Sequence, residues 1–158
     1  IQGTFDATLH SGWGAVSDLV RLKLNGEVMN TAFLYITASL VEDFASLSRE
    51  ELASAPVIKL ESNEFNIGKM PVNQTKEVEF KYVNEGKRDL IIRHIRASCG
   101  CTALQQGKSV IAPGESAAIK AVFSSGANPG LQHKNIYVYT NDPKNPEIIL
   151  TIKGEVVR

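Results

Sequence analysis

The sequence predicts an all-β protein: tandem immunoglobulin-like β-sandwich modules, the first incomplete, with a short helical linker. Three observations carry this. Short runs with period-two hydrophobic patterning recur at about 8–12-residue spacing over roughly 100 residues, punctuated by Gly, Pro and Asn turns. A single clear helical signal stands between 47 and 53. Two stretches, Asp18–Val41 and Lys134–Val157, align without a gap and keep their landmarks in register.

In the repeat, Val20 meets Ile136, Leu22 meets Val138, and Asn25 meets Asn141. Leu34 meets Leu150, Ile36 meets Ile152, and Leu40-Val41 meet Val156-Val157. Upstream, Ile1–Phe5 matches Ile119–Phe123, with a loop two residues longer in the first copy. Alternation alone would not keep both asparagines and the loop lengths aligned. The expected organisation is therefore 1–43 as the C-terminal half of a module, 44–55 as a helical linker, and 56–158 as a complete module. The remaining strands of the first copy are expected upstream in a longer protein, or from another chain.

Composition fits this reading. Hydrophobic residues make up 43% of the 158 and charged residues 22%, ordinary for packed domains and unlike disordered chains. Lys plus Arg equals Asp plus Glu at 17 each, so no net field draws in a polyphosphate and nucleic acid is not an expected partner. The basic residues Lys87, Arg88, Arg93 and Arg96 read as a solvated face. No apolar run approaches a membrane span, so no transmembrane segment is expected in this chain, and a cleaved signal would lie outside it.

In chain order, Ile1, Gly3 and Phe5 alternate with polar residues and predict a first strand. Strands follow at Leu19–Leu24 and Phe33–Val41, with an Asn25-Gly26 turn near the first. Ser48 and Glu51 form a capping-box pair for the short helix, and Pro56 stops it. Val57–Leu60, Phe65–Gly68 and Lys76–Tyr82 come next, the last with Val78, Phe80 and Tyr82 inward. Leu90–Ile92, Ala117–Phe123, Ile136–Thr140 and Ile148–Val157 complete the set. The alternation slips between Ile92 and Ile95, which predicts a bulge or a change of sheet there.

Chemistry concentrates in Ser98-Cys99-Gly100-Cys101-Thr102. Cys99 and Cys101 share the phase of Ile95 and Ala97, which turns both thiols inward as buried core residues. A Cys99–Cys101 disulfide is a second reading. Its Cα atoms must come within about 6.8 Å, which requires a bend at Gly100 and leaves a reducible bond suited to redox work. A soft-metal site for copper(I) or zinc is the third, with His94 or His133 completing the ligand set. Against it, His94 falls in the opposite phase to the cysteines. No GxSxG, HExxH, P-loop or GxGxxG occurs, so no enzyme chemistry and no cofactor is expected. Trp13 is a candidate binding aromatic, or a residue packed at a module junction. Tyr137 and Tyr139 replace Arg21 and Lys23 of the first copy on the expected outward face, and mark a candidate surface for a partner or the other module, or are simple surface tyrosines.

Phe65-x-x-Gly68, Phe80-x-x-x-Asn84-x-Gly86, Leu90-x-Ile92, Ser98–Thr102, Pro113-Gly114-Glu115, Phe123 and Asn141 occur in that order. Together they resemble the bacterial domain-of-unknown-function family 1573, whose modules look like Hydin-type immunoglobulin-like domains. The resemblance implies secreted or lipid-anchored envelope proteins, common in the Bacteroidetes, with no established activity. The expected function is therefore non-enzymatic: an extracytoplasmic binding or scaffold module with a protein partner, in the periplasm or at the cell surface and lipid-anchored upstream. The alternative is a thiol-redox or soft-metal protein using Cys99 and Cys101.

Overall fold

The computed structural model describes residues 4–10, 12–98, 102–105 and 107–158. The chain divides into two compact units, Ile1–Val41 and Glu42–Arg158.

In the first unit a 3-10 turn, Ala7–Leu9, is capped by the Asp6 carboxylate, which accepts from Thr8 N at 2.9 Å. Thr4 and Phe5 are not in a strand, which corrects the first expected strand for its described part. The physical reason is local. Phe5 stacks on His10 at 5.0 Å, and His10 Nε2 lies 3.1 Å from Asp18 Oδ2, so the segment folds back on itself. Strands β1 (Gly14–Leu24) and β2 (Glu27–Leu40) then form an antiparallel hairpin, each longer than its pattern suggested. Asn25 and Gly26 both take positive φ (50° and 88°), the two-residue turn whose twist matches that of the flanking strands.

The second unit opens with helix α1 (Arg49–Ala53). Both bonds of its capping box form: Glu51 N donates to Ser48 Oγ at 3.2 Å, and Ser48 N donates to Glu51 Oε2 at 2.9 Å. Among the described residues nine strands follow: β3 (Ile58–Leu60), β4 (Glu64–Pro71), β5 (Thr75–Asn84), β6 (Leu90–Ala97), β7 (Thr102–Gln105), β8 (Val110–Ile111), β9 (Ser116–Ser124), β10 (Gly130–Thr140) and β11 (Glu147–Val157). They form a five-stranded sheet, β4-β11-β10-β6-β8, and a four-stranded sheet, β3-β5-β9-β7. Every pairing is antiparallel except β4 with β11.

Alternation decides which side chains meet between the sheets. From the four-stranded sheet come Val78, Phe80 and Tyr82 of β5 and Ile119, Ala121 and Phe123 of β9. From the other come Leu90 and Ile92 of β6, Ile136 and Val138 of β10, and Leu150, Ile152 and Val156 of β11. Each large side chain buried this way contributes roughly 1.5–3 kcal/mol. The expected slip in β6 is present. Thr140 pairs with Ile92 but Tyr139 pairs with His94, so one extra residue stands between them and the phase changes. Ile92 and Ile95 therefore both face inward, while His94 and Arg96 lie on the outer face of the five-stranded sheet.

Candidate functional site

The motif residues that single out this sequence mostly serve the scaffold. Asn84 is fully buried and uses its whole amide. Its Oδ1 accepts from Val57 N at 3.3 Å and Gly86 N at 2.9 Å, and its Nδ2 donates to Arg88 O at 2.8 Å and Ile111 O at 2.9 Å. The segment before β3, the β5–β6 loop and strand β8 are thus tied to one side chain. Gly86 is required beside it, because a Cβ there would stand 2.5 Å from Ala55 O, Pro56 Cα and Val57 N. Asn141 joins the same end of the sandwich to β6, accepting from Ile91 N at 2.7 Å and donating to Asp89 O at 3.0 Å. Asp142, also fully buried, accepts from Ile58 N at 3.0 Å, Lys144 N at 2.8 Å and Asn145 Nδ2 at 2.8 Å. In the Pro113-Gly114-Glu115 turn, Glu115 accepts from Ala112 N and from Lys108 Nζ. That lysine contact, with the backbone bond, holds the Glu115 carboxyl below its usual range.

The cysteine stretch is bracketed by described residues only. Ser98 closes β6 against β10, its N–H donating to Asn135 O at 2.8 Å and its Oγ accepting from Asn135 N at 3.1 Å. Cys99 and Cys101, the candidate redox or metal pair, lie outside the described residues. The two histidines offered as further ligands are not brought together. His94 stands opposite Tyr139, whereas His133 lies six residues away along β10, roughly 20 Å at strand spacing. Among the described residues, no cluster of three or more His, Asp and Glu side chains could hold a metal.

The outer face of the five-stranded sheet carries a second cluster. Cross-strand register sets Tyr137 between Arg96 on β6 and Ile149 on β11, and Tyr139 between His94 and Glu147. The Arg96 guanidinium lies 5.1 Å from the centre of the Tyr137 ring, a cation–π distance. Tyr137 is half-buried, and Ile149 beside it is 46% exposed. Tyr139 is only 1% exposed, so its assignment as a surface contact is corrected. Its ring stacks on His94 at 6.3 Å between centroids, and its hydroxyl bonds Glu147 Oε1 at 3.2 Å. Burial, followed by the Glu147 charge, raises the Tyr139 phenol above its ordinary pKa. Trp13, one residue before β1, is half-buried and engaged in contacts of its own.

The solvated basic face expected from Lys87, Arg88, Arg93 and Arg96 also resolves into separate roles. Arg93 forms a fork on Glu42, with Nε and Nη2 each 2.8 Å from a carboxylate oxygen. Arg96 is the residue the sequence reading missed at the Tyr137 surface. Its only signal there was position, two residues beyond His94 in the outer phase. A cavity of about 400 Å³ lies at the Asn84 end of the sandwich, walled by Leu52, Pro56, Val57, Gly86 and Pro143.

No helix among the described residues is long and apolar enough to cross a membrane. No curated protein matches the chain. A protein of unknown function from Porphyromonas gingivalis W83 is similar in structure, with a TM-score of 0.68 and 17% identity over 92% of this chain and 67% of that one. The ASH/PapD-like domain 7 of human CEP192 is also similar, with a TM-score of 0.54 and 9% identity over 77% of this chain and 97% of that one. Both likenesses concern the fold. Residues 58–156, which hold the Asn84, cysteine and Asn141 motifs, match the family described as "Protein of unknown function (DUF1573)", and the chain belongs to that family.

Proposed function

We propose that the chain is a non-catalytic binding module of the bacterial envelope, docking a protein partner on the outer face of its five-stranded sheet. The observation that carries this reading is the Arg96–Tyr137–Ile149 group. An aromatic ring with a guanidinium above it brings together two residue types that concentrate binding energy at protein interfaces, and the exposed Ile149 beside them extends the apolar surface. The rigid paired strands hold all three in register before any partner arrives, so little side-chain ordering remains to be done on binding. The extracytoplasmic, lipid-anchored location rests on the family resemblance. The same reading takes 1–43 as part of a second immunoglobulin-like module and 44–55 as the linker between the two.

The test has two arms. Fractionation and protease accessibility of the full-length protein in its host should place it outside the cytoplasm; a cytoplasmic protein would overturn the location. Crosslinking from position 137 in those cells should trap a defined partner. Tyr137→Ala should lower its capture by about tenfold or more. Glu79→Ala, on the exposed face of β5, should leave it unchanged. Equal capture by wild type and Tyr137→Ala overturns the choice of face.

A further inference from the structure

The β1–β2 hairpin repeats the β10–β11 hairpin in register as well as in sequence. Val20 lies opposite Leu34, as Ile136 lies opposite Leu150. Leu19 faces Tyr35 as Asn135 faces Thr151, Arg21 faces Phe33 as Tyr137 faces Ile149, and Gly14 faces Leu40 as Gly130 faces Val156. The two hairpins part only beyond Arg21, where the first has a register shift before Lys23.

Their surroundings differ sharply. Ile136, Leu150 and Ile152 are 1%, 0% and 0% exposed, while their counterparts Val20, Leu34 and Ile36 are 38%, 45% and 36% exposed. In the second unit, β10 is flanked by antiparallel β6 and β11 by parallel β4, with the four-stranded sheet over the inner face. In the first, β1 and β2 form a sheet of two strands. An isolated two-stranded ribbon is marginal in water, and exposed strand edges and aliphatic rows invite pairing.

We infer that a further stretch of the same polypeptide, outside residues 1–158, completes this hairpin as a second sandwich. This rests on the tandem-module reading above and not on the partner surface. The register assigns the docking geometry. An antiparallel strand adds at the free edge of β1, as β6 does at β10. A parallel strand adds at the free edge of β2, as β4 does at β11. An apolar sheet covers the Val20–Leu34–Ile36 face. A second copy of residues 1–158 is the weaker occupant, because its own β4 and β6 are already committed within its second unit. The Porphyromonas gingivalis structure is compatible with this choice: its match takes in part of the first unit and covers 67% of that chain.

Amide hydrogen exchange on residues 1–158 and on the natural full-length polypeptide tests the assignment. In the shorter chain, amides of β1 and β2 should exchange roughly 100-fold or more faster than those of β10 and β11. In the full-length polypeptide they should slow into the β10–β11 range. Equal protection in a monomeric 1–158 chain overturns the inference, as does unchanged fast exchange in the full-length protein. Protection that rises with concentration, together with dimers in sedimentation, overturns it in favour of a second copy. Leu34→Asp should abolish the protection gained in the full-length protein, and Tyr35→Asp, on the opposite face, should not. The reverse pattern would leave the hairpin covered by the same polypeptide but overturn the tandem-module reading.

Discussion

Asn84 shows how one side chain governs the end of the sandwich. Replacing it with alanine takes this partner from two N–H groups and two carbonyls, the Ile111 bond being buried and the other three partly so. We expect Asn84→Ala to cost about 3–4 kcal/mol in chemical denaturation. Gly86→Ala should cost at least about 2 kcal/mol, since its methyl group would meet backbone atoms that cannot swing aside. Tyr82 gives a different signal. Its phenol is buried against the core near Glu115, which pushes its pKa up from 10.0 to about 12. The folded protein therefore keeps the proton that the unfolded chain releases. That contribution to stability is complete below pH 10 and fades as pH rises toward 12. Tyr82→Phe should remove this loss from an alkaline stability titration.

At the level of elements, what was legible depended on how local the cause was. The capping box was readable because Ser48 and Glu51 need only be three residues apart. Contacts from Ser48, its N–H first, hold the Glu51 carboxyl below its ordinary value. The box is thus intact above the unfolded carboxyl's pKa and is lost as pH falls through the lower folded one. Ser48→Ala should weaken α1 by about 1 kcal/mol, read from amide exchange across 49–53. The inward face of β5 and the slip in β6 were readable for the same reason, since period two and its interruption are properties of one segment. The Arg96–Tyr137 contact was not. It joins strands whose relative register is decided by the bulge and by how Ile95 and Val138 pack. Tyr139 was misread because alternation reports which face a side chain takes and not what covers it. Asn84 and Asp142 were hidden by composition, as Asn-Glu-Gly and Asn-Asp-Pro resemble ordinary exposed turns. Arg93 and Glu42 are 51 residues apart in sequence, and their fork was equally invisible. With both side chains about a quarter to a third exposed, a double-mutant cycle should return a coupling of about 1 kcal/mol or less.

For the whole molecule, the sandwich architecture followed from strand spacing and the family motif, while the role of those motif residues followed only from the structure. Those that are described mostly close loops or fill the core, which explains why the recognisable part of the sequence says more about the frame than about the partner. The parallel pairing of β4 with β11 has a further consequence, for the order in which the domain is made. The second strand of the domain to leave the ribosome belongs beside the last. A nascent chain that has reached β10 carries β4 without the strand it pairs with, and its sheet cannot close until Glu147–Val157 has been released. Such long-range closure slows folding and leaves apolar strands uncovered meanwhile. Chains ending before Glu147 should show no cooperative unfolding transition, and the intact domain should gain protease resistance only after synthesis of its final strand.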